Sequence, residues 1–222
     1  MQEKRVGVVF DCDGTLLDSM AAWRELESSL AERAGAELAK EDTDVLTTMT
    51  IPECGAYLHG KFGLGESGAD VERMIDEIMR DYYENRAMAK PGALELVRAL
   101  DARGVPLAVA SSSPKPLLDA GLRSAGFTPY LRAVVSVDDV GASKREPAVY
   151  DRAREALGTT REQTWGVEDA IYAIRTLNAA GYRTLGVHDC DLSATRDDLR
   201  READLFAESL VEVTVDMLLG DS

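Results

Sequence analysis

Short, wholly apolar runs alternate with segments of helical spacing along most of the chain. The first run, VGVVF at residues 6–10, predicts a strand that is buried on both faces. Similar runs predict further strands at residues 105–110, 133–137, 164–167 and 184–187. Helical spacing predicts helices between them, at residues 93–103, 116–125, 147–157 and 171–180. This alternation predicts an α/β fold, with a Rossmann-like parallel sheet covered by helices on both faces.

One stretch breaks the alternation. Residues 16–89 show no convincing strand, and helical patterns dominate there, notably at 19–34 and 69–84. The stretch leaves directly after the loop of the first strand and returns at the turn-prone sequence KPG. We therefore predict a discontinuous α/β catalytic core domain, residues 1–15 and 90–222, with residues 16–89 inserted as an all-helical cap domain.

Polar side chains follow the first two predicted strands at the point where each strand ends. In open α/β sheets, ligands bind beyond the carboxyl ends of the strands, so these positions are candidates for an active site. Asp11 and Asp13, in DCDGT, are two carboxylates beside a glycine that lets backbone amides approach a ligand closely. Ser111 and Ser112, in SSSP, precede a helix whose free amides favour an anion. Together these loops can bind a cation and a phosphate.

Two further strand ends carry charged side chains. Lys144 lies in a loop ahead of a helix and can aim its ammonium at a transferring phosphoryl group. Glu168 and Asp169 are adjacent carboxylates, which repel one another unless a cation joins them, and Mg²⁺ prefers such oxygen ligands. For Asp169 we favour the metal, whereas capping of the next helix explains Glu168 equally well.

The four motifs FDCDGTLLDS, VASSS, SKREP and GVEDAIYAIRTLNAAG resemble, in this order and spacing, those of the haloacid dehalogenase (HAD) superfamily. The similarity spans residues 6–189, and the superfamily places a helical cap where this chain has residues 16–89. Within the superfamily, the chain is similar to the phosphoglycolate phosphatase and β-phosphoglucomutase branch. The resemblance implies a magnesium-dependent phosphatase that hydrolyses a small phosphomonoester through an aspartyl-phosphate intermediate.

The same resemblance assigns roles to the acidic residues. It makes Asp11 the nucleophile and a metal ligand. It makes Asp13 the general acid/base, whose main-chain carbonyl also contacts the metal. Asp169 becomes the metal ligand of the fourth motif, with Glu168 as a partner of the metal through water. The implied cofactor is Mg²⁺, because an anionic carboxylate must attack an anionic phosphate.

The implied phosphate-binding residues share the loops that follow the first three predicted strands: Gly14, Thr15, Ser111, Ser112 and Lys144. Lys144 also counts as catalytic, because it neutralises charge on the transferring group. Relatives often have Lys-Pro in the third motif where this chain has Lys-Arg, and they have a glycine where this chain has Ala173. We expect these departures to adjust the loops without loss of chemistry.

Residues between the first strand and the first cap helix, and on that helix, are assigned mainly structural roles. Asp18 is interpreted as the N-cap of this helix and is excluded from the site. Trp23 and Arg24 fall on the helix where they could line the substrate side, with Trp23 assigned to the cap core in preference. Strand alternation turns Cys12 away from the pocket, so it is interpreted as a small buried side chain.

Composition and charge restrict the partners. The formal net charge is −15, which repels polyanions, so nucleic acid is not expected as a partner. Three widely spaced cysteines argue against a disulfide framework and fit a reducing cytoplasm. The N-terminus lacks a signal-peptide pattern, and no apolar run approaches membrane-spanning length. We expect a cytoplasmic protein with no membrane partner, a small phosphorylated metabolite as substrate, and a monomer or homodimer.

Hydrolysis has alternatives that use the same fold. A phosphosugar mutase would use the same aspartyl phosphate but return the group to a sugar. A non-catalytic phosphometabolite-binding protein would be indicated by loss of Asp11, Asp13, Lys144 or Asp169, and all four are present. Dehalogenation is disfavoured, because it needs neither a second acid nor magnesium.

Overall fold

The computed structural model describes residues 6–46, 49–189 and 195–220. Within these ranges six strands form one sheet: β1 (Gly7–Phe10), β2 (Leu107–Ser111), β3 (Leu131–Ser136), β4 (Thr164–Glu168), β5 (Arg183–Val187) and β6 (Leu205–Ala207). The strand order is β3-β2-β1-β4-β5-β6, and every neighbouring pair is parallel. The predicted α/β fold is confirmed, and the first five strands lie within two residues of their predicted ends. β6 was not predicted.

Ten α-helices occur in the described ranges. They are α1 (Met20–Arg33), α2 (Lys40–Leu46), α3 (Ile51–Phe62), α4 (Gly68–Asn85), α5 (Ala93–Ala102), α6 (Lys115–Ser124), α7 (Ala148–Leu157), α8 (Ile171–Ala180), α9 (Arg196–Glu202) and α10 (Val215–Leu219). The six helices predicted from spacing are present, and their ends agree within one residue.

The sheet separates two apolar clusters, because successive residues of a strand point to opposite faces. Val8 and Phe10 of β1 pack in the larger cluster, whereas Val9 packs in the smaller one. Helices α7 and α8 complete the smaller cluster. Helices α5, α6 and α10 cover the other face. Burial on both faces explains why β1 reads as an uninterrupted apolar run.

Helices α1 to α4 come from the inserted stretch, residues 16–89. In the described part of this stretch no strand occurs, and isolated bridge pairing joins Leu17 to Ala89, so the two ends lie side by side. Next to them, the backbone N–H of Lys90 donates to the carbonyl of Leu16 at 2.9 Å. The larger apolar cluster continues from the sheet into α1, α3 and α4. The division into two domains stays a prediction.

The strand order reverses at β1, which lies between β2 and β4. The chain passes from β1 to β2 on one side and later crosses to β4 on the other. In such sheets a crevice opens beyond the carboxyl ends of the strands at the point of reversal. The ends of β1, β2 and β4 therefore meet at one place, and the inserted helices lie above it.

Candidate active site

The loop after β1 is held tightly against the end of β4. The backbone N–H of Asp11 donates to the carbonyl of Val167 at 2.9 Å, which continues the sheet pairing by one residue. Gly14 has a positive φ of 86°, and a Cβ atom built there would lie 2.2 Å from Asp169 Oδ2. Only glycine lets the loop pass this carboxylate without displacing it.

Three carboxylates meet at this point. Asp11, Glu168 and Asp169 are all buried, and each offers an oxygen that lies within 4.8 Å of the others. Lys144 donates to Asp11 and, at 2.6 Å, to Glu168 Oε1. The hydroxyl of Tyr150 donates to the same Glu168 oxygen at 2.6 Å. The loops of β1 and β4 and the loop before α7 thus bring the predicted residues together.

The acidic cluster fits a hard divalent cation. Glu168 Oε2 is buried and has no hydrogen-bond partner among the residues that the structure describes. A buried oxygen without a donor costs free energy, and a cation would satisfy it. Oxygen donors from three carboxylates are the set that Mg²⁺ prefers. Asp11, Glu168 and Asp169 are therefore the side chains suited to hold the ion, whereas the carboxylate of Asp13 points elsewhere.

The electrostatics of the cluster follow from burial. Burial raises the pKa of Asp11 well above its usual value; attraction from Lys144 opposes the rise, and repulsion from Glu168 and Asp13 adds to it. Burial alone would lower the pKa of Lys144, but the charges of Asp11 and Glu168 raise it above its ordinary range. Lys144 therefore remains an ammonium, and additional positive charge would favour ionised Asp11.

Asp13 is held by hydroxyl groups from separate parts of the chain. Ser19 Oγ donates to Asp13 Oδ1 at 2.6 Å, and the hydroxyl of Tyr83 donates to the same oxygen. Ser113 Oγ donates to Asp13 Oδ2 at 2.7 Å. Trp23 Nε1 in turn donates to the hydroxyl of Tyr83 at 3.0 Å. Ser19 and Tyr83 belong to the inserted stretch, which therefore contacts the candidate acid/base directly.

The predicted phosphate-binding residues fall into two groups. Ser111, Ser112 and Lys144 line the cavity above the sheet, and Ser111 Oγ accepts a hydrogen bond from the backbone N–H of Ser113. Gly14 and Thr15 are buried in the β1 loop, outside the cavity wall formed by the described residues. The phosphate-binding role of all five predicted residues remains a prediction.

The cavity extends from the carboxylate cluster into the inserted helices and has a volume of about 120 Å³. Trp23 packs against the larger apolar cluster, as expected of a cap-core residue, and it also lines the cavity. The ring is half-buried, with its N–H aimed at Tyr83 inside the site. Arg24 lines the same wall, as anticipated. Cys12 is fully buried outside the wall, which confirms that it faces away.

Several contacts of the site were not found from the sequence. The first helix is capped at Ser19 and not at Asp18, which is exposed; Asp18 was therefore wrongly interpreted as the N-cap. The side chain of Ser19 caps no backbone group because it is bonded to Asp13. Ser113 belongs to the SSSP motif and could have been included on that ground. Tyr83 carries no local signal, since it lies seventy residues beyond its partner.

A carboxylate-and-lysine centre at the carboxyl end of a parallel sheet, beneath inserted helices, defines a class of α/β hydrolytic enzymes. The family model of the haloacid dehalogenase-like hydrolases matches residues 6–181. The chain belongs to this family and is a hydrolase. No helix in the described ranges is long and apolar enough to cross a bilayer.

Relatives of the chain include named phosphatases. It is 31% identical to hexitol phosphatase A of Escherichia coli (strain K12), over 94% of this chain and 93% of that protein. It is 30% identical to validoxylamine A 7'-phosphate phosphatase of Streptomyces hygroscopicus subsp. limoneus, over 92% of this chain and 94% of that protein. The solved structure of β-phosphoglucomutase from Clostridium difficile has a TM-score of 0.80 at 16% identity, covering 97% of this chain and 96% of that one. This last likeness concerns the fold alone.

Proposed function

We propose that the protein is a magnesium-dependent phosphatase that hydrolyses a small phosphomonoester through an aspartyl phosphate on Asp11. The observation that carries the proposal is the buried contact of Asp11 with Lys144, beside Glu168 and Asp169. The phosphatase names of the relatives at 30% and 31% identity support the same reaction class.

The chain's own residues supply a two-step path. The carboxylate of Asp11 attacks phosphorus in line with the leaving oxygen, and Asp13 gives that oxygen a proton. Lys144 offsets the negative charge on the transferring group. Asp13 then accepts a proton from the water that hydrolyses the aspartyl phosphate. One difficult displacement becomes two easier ones.

The metal has a defined place in this proposal. Asp11, Glu168 and Asp169 would hold Mg²⁺ through their side chains, and the main-chain carbonyl of Asp13 is a further candidate ligand. When bound, Mg²⁺ supplies the positive charge that lets an anionic carboxylate approach an anionic ester. The hydroxyls of Ser19, Tyr83 and Ser113 keep the carboxylate of Asp13 in place, apart from the carboxylate cluster.

The test is phosphate release from a panel of small phosphate esters, with and without Mg²⁺, for the wild type and Asp11→Asn. We expect release that requires Mg²⁺ and falls by more than about 1000-fold in Asp11→Asn, which preserves the shape of the side chain but removes the nucleophile. Release that survives the substitution would contradict covalent catalysis by Asp11. Isomerisation of a hexose phosphate without release of phosphate would show a mutase instead.

A further inference from the structure

The inserted helices give the cavity a largely apolar wall. The residues that form it are contributed by α1, α2, α3, α4 and the segment before α3: Leu26, Leu46, Met49, Ile51, Leu58 and Ile75. Among the described residues from the inserted helices that line the cavity, the charged side chains are Arg24 and Glu27. A leaving group that enters this space therefore meets hydrocarbon on most sides.

Glu27 is the unusual member of this wall. Its side chain forms no hydrogen bond and no ion pair with any residue in the described ranges, although it is largely buried. Burial raises the pKa of Glu27 to about 7, and the charge of Arg24 lowers it only in part. A carboxyl group in an apolar wall opposes folding unless a ligand supplies its partner. Glu27 faces the same cavity as Asp11 and Lys144.

We infer that the leaving group of the substrate has an apolar body that fills the cap side of the cavity and one hydrogen-bond donor that reaches Glu27. The donor is a hydroxyl or an amino group, since both can bond to a carboxylate. This inference rests on the proposed phosphatase function and names its substrate class.

The apolar wall also makes polyols poor substrates. A hexitol phosphate carries a hydroxyl on every carbon of its leaving group, and a single carboxylate can bond only a few of them. Each hydroxyl left against hydrocarbon loses its water without gaining a partner, which lowers kcat/KM by roughly 10-fold. We therefore expect hexitol phosphates to be poorer substrates of this chain than an ester whose leaving group is apolar with one donor.

The test compares kcat/KM for phosphate release, in the presence of Mg²⁺, over three series of esters. These are alkyl phosphates of increasing length, the same chains with a terminal hydroxyl, and the same chains with a terminal amine; sorbitol phosphate is the polyol reference. We expect one chain length at which a terminal donor raises kcat/KM by about 10- to 100-fold over the plain alkyl ester. The kcat/KM of that ester should also exceed the kcat/KM of sorbitol phosphate. Comparing the hydroxyl and amine series identifies the donor.

Two variants connect this preference to Glu27. Glu27→Leu, which matches the wall, should abolish the advantage of the terminal donor while plain alkyl phosphates react as well or better. Glu27→Gln retains the shape and polarity and should weaken the advantage, most strongly for the amine. Glu25→Leu, on the exposed side of the same helix, should change neither.

The outcomes separate the two proposals. If sorbitol phosphate is preferred, or if Glu27→Leu alters all esters equally, the inference about the leaving group is wrong although the phosphatase function stands. If the wild type releases phosphate from none of the esters, the proposed function fails, and the inference fails with it.

Discussion

At the scale of single residues, the position of Asp13 depends on a tyrosine from the inserted helices. The ring of Tyr83 is fully buried, and it fits because α6 has Gly121 at the contact. A Cβ atom at Gly121 would lie 2.5 Å from Tyr83 Cδ1. Packing therefore fixes the ring, and the ring fixes the hydroxyl on Asp13 Oδ1. The neighbouring Tyr82 hydroxyl instead donates to the carbonyl of Asp18 at 2.7 Å.

The pair of tyrosines gives a matched test of this positioning. Tyr83→Phe removes one donor to Asp13 and keeps the packed ring, so we expect kcat to fall about 10-fold with KM little changed. Tyr82→Phe removes a hydroxyl bonded outside the cavity and should leave both constants near the wild-type values. Steady-state phosphate release with the best available ester measures kcat and KM separately for each variant. An equal fall in both variants, or a change confined to KM, would contradict the role given to Tyr83.

Glu27 should also affect stability as a function of pH. Its pKa is raised from 4.5 to about 7 in the folded chain, so at low pH both states carry the proton and no penalty exists. As pH rises from about 4.5 to about 7, the unfolded state ionises first and the folded state loses stability. The loss approaches about 3 kcal/mol and is constant above this window. The nearby charged and titratable groups are Arg24, Cys54 and Glu53, and burial raises the pKa of Cys54 to about 12.

Chemical unfolding of the wild type and Glu27→Gln at several pH values measures this effect. The glutamine variant has no proton to lose, so the difference in unfolding free energy between the two proteins should grow with pH across the window. Glu25→Gln, on the same helix but exposed, should follow the wild type. A difference that does not change with pH would show that the Glu27 carboxyl is solvated in the folded chain.

At the scale of elements, predictability follows the strength of the local pattern. β1, β2 and β4 are buried at every position, and apart from polar residues at the ends of β2 and β4 each appears in the sequence as a short apolar run. β6 has three residues, two of them only half-buried, and such a segment is too short to show a period. Helix α3 starts with a capping box of Thr50 and Glu53, a signal that sequence reasoning could have used.

The candidate site was predictable to the same extent. Asp11, Lys144 and Asp169 come together because parallel strands end at one edge, and this rule needs no knowledge of side-chain contacts. Tyr83 and Glu27 approach from the inserted helices, whose packing over the sheet has no signature in local spacing. The meeting of the carboxylates and Lys144 could therefore be predicted from the strands, whereas the contacts that the inserted helices add could not.

The contact between two loops at this edge gives a further prediction. Gly14→Ala should place a methyl group against Asp169 Oδ2, move the β4 loop, and lower phosphate release by about 100-fold. Gly141→Ala is the control, because Gly141 also has a positive φ, 66°, but a Cβ atom there meets nothing within 4 Å. Both variants share the backbone strain, so only the clash differs. Equal activity in the two would mean that the close approach of the loops is unimportant.

At the scale of the whole molecule, the carboxylate cluster adds to a chain that already carries a net charge of −15. Any cation should stabilise such a chain weakly by screening, whereas a cation bound at the cluster stabilises it specifically. The buried Glu168 Oε2 without a partner among the described residues makes the folded chain gain more from a bound ion than the unfolded chain does. The proposed binding of Mg²⁺ would therefore be linked to folding, and this linkage can be measured without substrate.

This linkage predicts how the melting temperature responds to Mg²⁺. At about 100 times its dissociation constant, a ligand of the folded state adds about 2.7 kcal/mol, which raises Tm by roughly 5–10 °C for a chain of this size. A titration with MgCl₂ should be compared with a titration with NaCl at equal ionic strength, so that charge screening is the same in both. Asp169→Asn should remove the specific rise, whereas Asp101→Asn, at an exposed position of α5, should retain it. If NaCl raises Tm as much as MgCl₂ does, the carboxylate cluster holds no specific ion, and contacts within the chain, such as those of Lys144 and Tyr150, stabilise the buried acids instead.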